Sequence, residues 1–414
     1  MRGVFRRFGA ALEFVEFRNL WMATALAQAA GWGLIVTRGW LIYHEAESSF
    51  LVGVATFAAM GPMLIVPPIV GVLADRMDRR RILQAAYATE FLQSSTLVLL
   101  AATGLLHVWM VVAASLVSGV ARASAVPTAQ ATAATLVPAD RLLNALSLTA
   151  STQHGSRLFG PGLVTPLLAL SGAPAAFGVS AVLYGLALYR VGKLGPQRVE
   201  QVGERESFFA NFMGGLAYVY DRPVLRYMIL ILVCHCGFTM AFESLLPGFS
   251  AEHLNAADGG FGVLMMGVGS GALVASILVS GLQTERGRGN ALIITGVLSG
   301  LGQVMLAFTG TLALGFVAAA IMGGAQAAFM TMGSAVTQSI AANEFRGRVS
   351  SINSFSLGGT MAMMNLFNGS LAEEFGSQPL LLIHGAMFVL VVAVTLIPMT
   401  GRMVYGRAPI PQVA

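Results

Sequence analysis

Charge is scarce in this sequence. Only 10% of its 414 residues are Asp, Glu, Lys or Arg, where a soluble domain carries about a quarter. With 56% hydrophobic residues and a mean hydropathy of +0.74, the chain must hide apolar surface in lipid, which excludes an ordinary soluble enzyme. Cysteine is nearly absent: Cys234 and Cys236 stand in one apolar run. Two apart on a helix, they point to nearly opposite sides, so a bridge between them is disfavoured and the redox compartment cannot be read. His235 between them has no acidic neighbour in sequence, and no metal site is expected. A Walker sequence is missing, and Gly267-Val268-Gly269-Ser270-Gly271 follows no strand, so neither a nucleotide loop nor any other cofactor is expected. The net charge of +5 is spread over short loops and forms no basic face, which excludes nucleic acid as a partner. No small-residue cleavage site follows the first apolar run, which therefore reads as a retained span.

What is present is a series of apolar runs. Residues 1–18, with Arg2, Arg6, Arg7 and Arg18 among Phe and Leu, read as a cytoplasmic amphipathic lead-in. Spans are expected at about 19–43, 50–74, 82–104, 108–134, 141–170 and 174–192, together a bundle over 19–192. A polar loop follows at 193–222. A second bundle over 223–400 holds spans at about 223–249, 259–282, 290–309, 311–338, 347–371 and 379–400, and 401–414 forms a cytoplasmic tail. The expected class is all-α integral membrane, with twelve transmembrane helices.

The Lys and Arg residues test this map. With the N-terminus inside, 21 of 24 fall in inside segments, and Arg38, Arg122 and Arg157 fall within spans. The outside loops carry Glu45, Glu47, Glu252, Asp258, Glu373 and Glu374 instead. This asymmetry is the positive-inside pattern, with both termini cytoplasmic.

The most informative stretch is Gly71-Val72-Leu73-Ala74-Asp75-Arg76-Met77-Asp78-Arg79-Arg80-Arg81, with six charges in eleven residues between two apolar runs. It resembles the G-x-L-A-D-R-x-x-R-R loop between helices two and three of the major facilitator superfamily. Asp78 stands where that pattern usually has Gly, as it often does in the drug-efflux and siderophore-exporter branch. Gly281…Glu285-Arg286 is a degraded echo 210 positions later, and Val137–Arg141 is echoed by Ile340–Arg348. Further stretches resemble the enterobactin-exporter-like branch: Gly39–Tyr43 with Ser48–Gly53, Ser118-Gly119 with Pro127–Ala131, Arg157–Pro161, and Arg346–Val349. The antiporter signature of helix five departs, with Ser156 where Gly is usual and Gly162 early. The resemblance covers about 20–400 and implies two pseudo-symmetric six-helix bundles, the major facilitator fold. It further implies a conformational switch loop of Gly71, Asp75, Arg76, Arg79 and Arg80. In it Gly71 lets two helices approach, and Asp75 faces a helix N-terminus of the other half.

Ionisable side chains inside spans are costly and mark candidate sites for substrate or protons. Arg38 and Glu243 each lie about twenty residues into equivalent spans, roughly 30 Å along. They either pair across the halves when the outer side is closed or snorkel separately to headgroups. Glu90 and Arg122 share a depth on consecutive antiparallel spans. They form a static ion pair, or Glu90 carries a proton. His154 and Arg157 share one helical face beside Gly160-Pro161, where a kink is expected. They either meet an anionic or polar substrate group or bond to nearby carbonyls. The 21 Met and 24 Phe suit a plastic cavity or serve as lipid-facing filler. Gly267, Gly269, Gly271 and Gly323-Gly324 suit close helix packing.

The expected function is secondary active transport rather than enzymatic catalysis. The chain would export small amphipathic molecules of drug or siderophore type, in exchange for protons and by alternating access. It would act as a monomer in the lipid bilayer of a bacterial inner membrane. The alternatives are an importer or facilitator, a lysophospholipid carrier on the same fold, and a non-transporting membrane sensor. Such a sensor usually adds a soluble domain, and the longest loop here has about 30 residues.

Overall fold

The computed structural model describes residues 10–197, 208–279 and 285–406, apart from the side chains at 68, 71–76, 143, 208–211 and 285–286. Among the described residues every regular element is helical. Internal packing divides the chain into two units. One comprises 10–47, 54–197 and 257–266, and the other 48–53, 208–256 and 267–406.

The first unit is built from α1 (Val15–Ala46), α2 (Ser49–Met60), α3 (Pro62–Arg76), α4 (Arg79–Ala102), α5 (Val108–Thr135) and α6 (Leu142–Gly192), with the first turn of α2 counted in the other unit. The span expected over 50–74 divides at Gly61-Pro62, where Pro62 brings no N–H to the helical ladder. The long α6 is two helices run together. Gly172 interrupts it at φ 71° and ψ −169°, a conformation that strains any residue with a Cβ. Backbone dihedrals stay within the helical range through Gly160 and Pro161, the positions expected to kink, and leave it at Gly172, between the two spans expected over 141–170 and 174–192. Gly160 has another use. A Cβ there would run into the Ala29 carbonyl and come within 2.8 Å of Trp32 Cβ, so the missing side chain lets α6 lie against α1. α4 packs along α5 and α6, and α3 along α5.

The stretch 193–222, expected to be a polar loop, contains α7 (Phe208–Tyr220), which belongs to the second unit. Tyr218 there stacks on Phe345 with ring centroids 4.0 Å apart and accepts a hydrogen bond from Ala342 N at 2.9 Å. The bundle follows as α8 (Pro223–His235), α9 (Gly260–Val279, whose first turns belong to the first unit), α10 (Glu285–Ala307), α11 (Leu312–Ile340), α12 (Arg346–Phe375), α13 (Ser377–Thr395) and α14 (Met399–Val404). Phe329 and Phe388 meet edge to face in its core around the buried His235. Cβ atoms on Gly267 and Gly323 would collide with backbone of the facing helix, so these glycines serve close packing of α9 on α11.

The span expected over 223–249 is not one continuous helix. α8 gives way to a π-turn at Cys236–Met240, the chain opens at 241–245, and a second π-turn covers Phe249–His253. Backbone groups freed by an irregular turn need other partners inside a membrane. Gln303 Nε2 donates to Phe238 O at 3.2 Å and Gln326 Nε2 to Thr239 O. Asn368 Nδ2 donates to Ala241 O at 2.6 Å, and Ser244 N donates to Asn365 Oδ1 at 3.0 Å.

Among the described residues, nine segments are long and apolar enough to cross a membrane, against twelve expected spans. The gap has three sources. Asn144–Gly192 counts once although Gly172 divides it, and α4 and α12 are long enough but too polar to qualify on composition. Large apolar side chains such as Leu170, Ile277, Leu278 and Phe308 stand exposed on the surface, as lipid contact requires.

Candidate functional site

The first unit gathers most of its buried charge at one place. Glu90, mid-way along α4, is 1% exposed. Its partner on α5 is Ser118, whose Oγ lies 2.7 and 2.8 Å from the two carboxylate oxygens. Gln93 Nε2, one turn along α4, donates to Oε2 at 3.0 Å. Arg122 follows Ser118 by four residues and therefore shares its face of α5. Arg122 and the buried Arg38 of α1 both lie within electrostatic reach of Glu90. Tyr184, from the second arm of α6, completes the group. A Cβ on Gly31 would sit 3.3 Å from its hydroxyl and 3.8 Å from Arg122 Cζ, so Gly31 leaves room for both.

This cluster borders a cavity of roughly 200 Å³ within the first unit. Glu90, Tyr87, Arg122 and Tyr184 form part of its wall, facing Trp21, Gln28 and Trp32 of α1 and Thr149 and Gln153 of α6. Arg157 meets one residue of that wall, with its guanidinium 4.4 Å above the Trp32 ring. Cation–π contact of this kind is worth about 1 kcal/mol or more where water is excluded. His154, half-buried one turn earlier, lies within electrostatic reach of Arg157. An apolar chamber with a few convergent polar groups is the form of a small-molecule site.

Three of the expected residues, Arg38, Glu90 and Arg122, thus come together, and Arg157 joins their cavity through Trp32. Glu90 is held by hydroxyl and amide donors, with the two guanidiniums acting at longer range, so a simple Glu90–Arg122 pair does not describe it. Glu243 is buried in the second unit, at the opening of the chain after α8, where Asn365 and Asn368 hold the backbone on either side of it. His235 bonds Ser299 Oγ at 3.1 Å inside that unit's aromatic core.

The side chains of Asp75 and Arg76, and the surroundings of Gly71, lie outside the described residues. The rest of that loop is tied down. Arg79 Nη1 donates to Ala131 O at 3.2 Å, and Arg80 Nη2 to Gly192 O at 2.7 Å. Asp78, noted in sequence only as a departure from Gly, caps α4 by accepting from Arg80 N at 3.0 Å and also accepts from Gln197 N at 2.9 Å. The loop therefore binds the ends of α5 and α6 and the chain that leaves α6. Sequence reasoning missed Asp78 in this role, although Asp before a helical run is a recognisable cap signal. It also missed Tyr184, Gln93 and Trp32 as site residues, because a phenol, an amide and an indole in a span attract no notice until a charge is placed beside them.

Comparison with known proteins bears on the family and the fold. The chain matches a family described as transmembrane secretion effector over residues 9–404. It is 23% identical over 390 residues to macrolide efflux protein A of Streptococcus pyogenes, covering 92% of this chain and 95% of that protein. It is 24% identical over 339 residues to the multidrug efflux pump Tap of Mycolicibacterium fortuitum, covering 78% and 81%. Among solved structures, the nucleoside transporter NupG superposes with a TM-score of 0.73 at 10% identity, over 92% of this chain and 98% of that one. At that identity the likeness establishes the fold alone: the major facilitator fold of a multi-pass membrane protein.

Proposed function

The chain belongs to the transmembrane secretion effector family of major facilitator transporters, and from that premise we propose that it exports small amphipathic molecules by alternating access, in exchange for protons. The observation that carries the reading is the cavity of the first unit, with a buried carboxylate and a guanidinium in a wall otherwise made of aliphatic, aromatic, hydroxyl and amide side chains. The macrolide and multidrug efflux relatives support the outward direction. A carboxylate held by neutral donors at the wall of a cavity suits a group that takes up and releases a proton; Glu90 is our first choice, with Glu243 and His154 as the others. The loop 71–81 supports a switch, since Arg79, Asp78 and Arg80 tie three segments together at one point. In this reading Asp75 sets the balance between inward-open and outward-open states. The chain works as a monomer in a bacterial inner membrane, with both termini in the cytoplasm.

The test is accumulation of dyes and antibiotics in cells lacking their own exporters. Wild type lowers accumulation of at least one compound, and collapse of the proton gradient abolishes the effect. Asp75→Asn cripples export while folded protein stays in the membrane. Full activity of Asp75→Asn would remove the loop from the mechanism, and export that survives collapse of the gradient would remove proton exchange. Raised accumulation in wild type would establish import instead.

A further inference from the structure

We infer that the first-unit cavity selects substrates carrying negative charge, an anionic amphipath with an aromatic or other flat apolar body. The inference rests on the export reading and deepens it by naming the substrate class.

The argument is electrostatic. Among the described residues lining the cavity, Glu90 is the single acid. It is answered by two guanidiniums, Arg122 in the wall and Arg38 behind it, and its oxygens are already engaged by Ser118 and Gln93. The site thus holds a net positive charge with Glu90 ionised, and a larger one when Glu90 takes a proton. Uncompensated charge in a low-dielectric interior is costly, and a ligand of opposite sign removes the cost. A cation entering the same chamber meets like charge, which is how a site rejects the wrong partner.

Unused donors point the same way. Behind the wall, Arg38 Nε and Nη2 are buried with no hydrogen-bond partner among the described residues, so this guanidinium adds positive charge next to the cavity without lining it. Trp21, Trp32 and Tyr87 supply the flat apolar contact. The Arg122 guanidinium, which lines the cavity, is suited to a carboxylate, sulfonate or phenolate oxygen.

Fluorescein and rhodamine 6G share a xanthene frame and differ in the sign of their charge. Binding to the purified full-length protein in lipid nanodiscs is followed by quenching of tryptophan emission, to which Trp21 and Trp32 contribute at the site. Wild type is expected to bind fluorescein at least tenfold more tightly than rhodamine 6G. Arg122→Lys is expected to keep the order, Arg122→Gln to shrink it, and Arg122→Glu to reverse it. Thermal melts of each variant without dye confirm that it is folded. Tighter binding of rhodamine 6G to wild type, an order unaffected by Arg122→Glu in folded protein, or binding of neither dye would overturn the inference. None of these outcomes touches the export reading, which stands or falls on the accumulation assay.

Discussion

Glu90 shows how one buried acid is made tolerable in a membrane bundle. Both of its oxygens have donors, and two cations stand within reach. Removing the carboxylate leaves those cations without compensation, a loss of about 3 kcal/mol when one member of a buried charged group is deleted. Glu90→Gln is therefore expected to lower the melting temperature of the purified protein and to flatten the pH dependence of export measured in inside-out vesicles. Unchanged stability would mean that Arg38 and Arg122 do not depend on this acid. An unchanged pH profile would pass the titrating role to Glu243 or His154. Glu90 and Arg122 were legible in the sequence because ionisable residues in apolar runs are rare enough to stand out. Ser118 and Tyr184 were not legible as their partners. Hydroxyls in membrane helices commonly bond their own backbone, as Ser115 does to Val111 O and Thr128 to Ser124 O, so nothing in the sequence separates the one that turns to a neighbour.

At the scale of elements, the ends of helices matter more than their middles. Asp78 caps α4 and also holds the backbone of Gln197, which leaves α6. Replacement of a capping Asp by Ala costs about 1 kcal/mol, and here the second bond goes as well. Asp78→Ala is expected to lower the melting temperature by more than Asp78→Asn, whose amide oxygen accepts the same bonds. Equal effects would mean that the charge, and not the cap, is what α4 needs. Helix positions were readable from composition because an apolar run of some twenty residues is a local signal. The interruption after α8 was not. It depends on Gln303, Gln326, Asn365 and Asn368, which lie 65 to 127 residues away in sequence and reach back to single backbone groups. The helix α7 escaped for a different reason: charged residues around 193–206 mask a short amphipathic segment in any average taken over the whole loop.

At the scale of the molecule, the arrangement of charge along the chain is the basis of the proposed orientation. In that proposal, 21 Lys and Arg residues fall in inside segments, and the charged residues of the intervening outside loops are acids. In a background lacking Cys234 and Cys236, a cysteine placed at Arg81 is expected to react with a membrane-impermeant maleimide only after the cells are opened. One placed at Glu374 is expected to react in intact cells. The opposite pattern would invert the topology and with it the proposed direction of transport.

The opening after α8 also bears on how the chain is made. Ala241 and Ser244 find their partners 127 and 121 residues downstream, on α12. At about 5–20 residues per second, that interval lasts roughly ten seconds. Through it, a nascent segment with unpaired peptide groups and an acid has no finished protein around it. Hydrocarbon does not accept such a segment, so the insertion machinery must shelter it until α12 emerges. Biogenesis of this protein is therefore bound to the completion of its penultimate long helix.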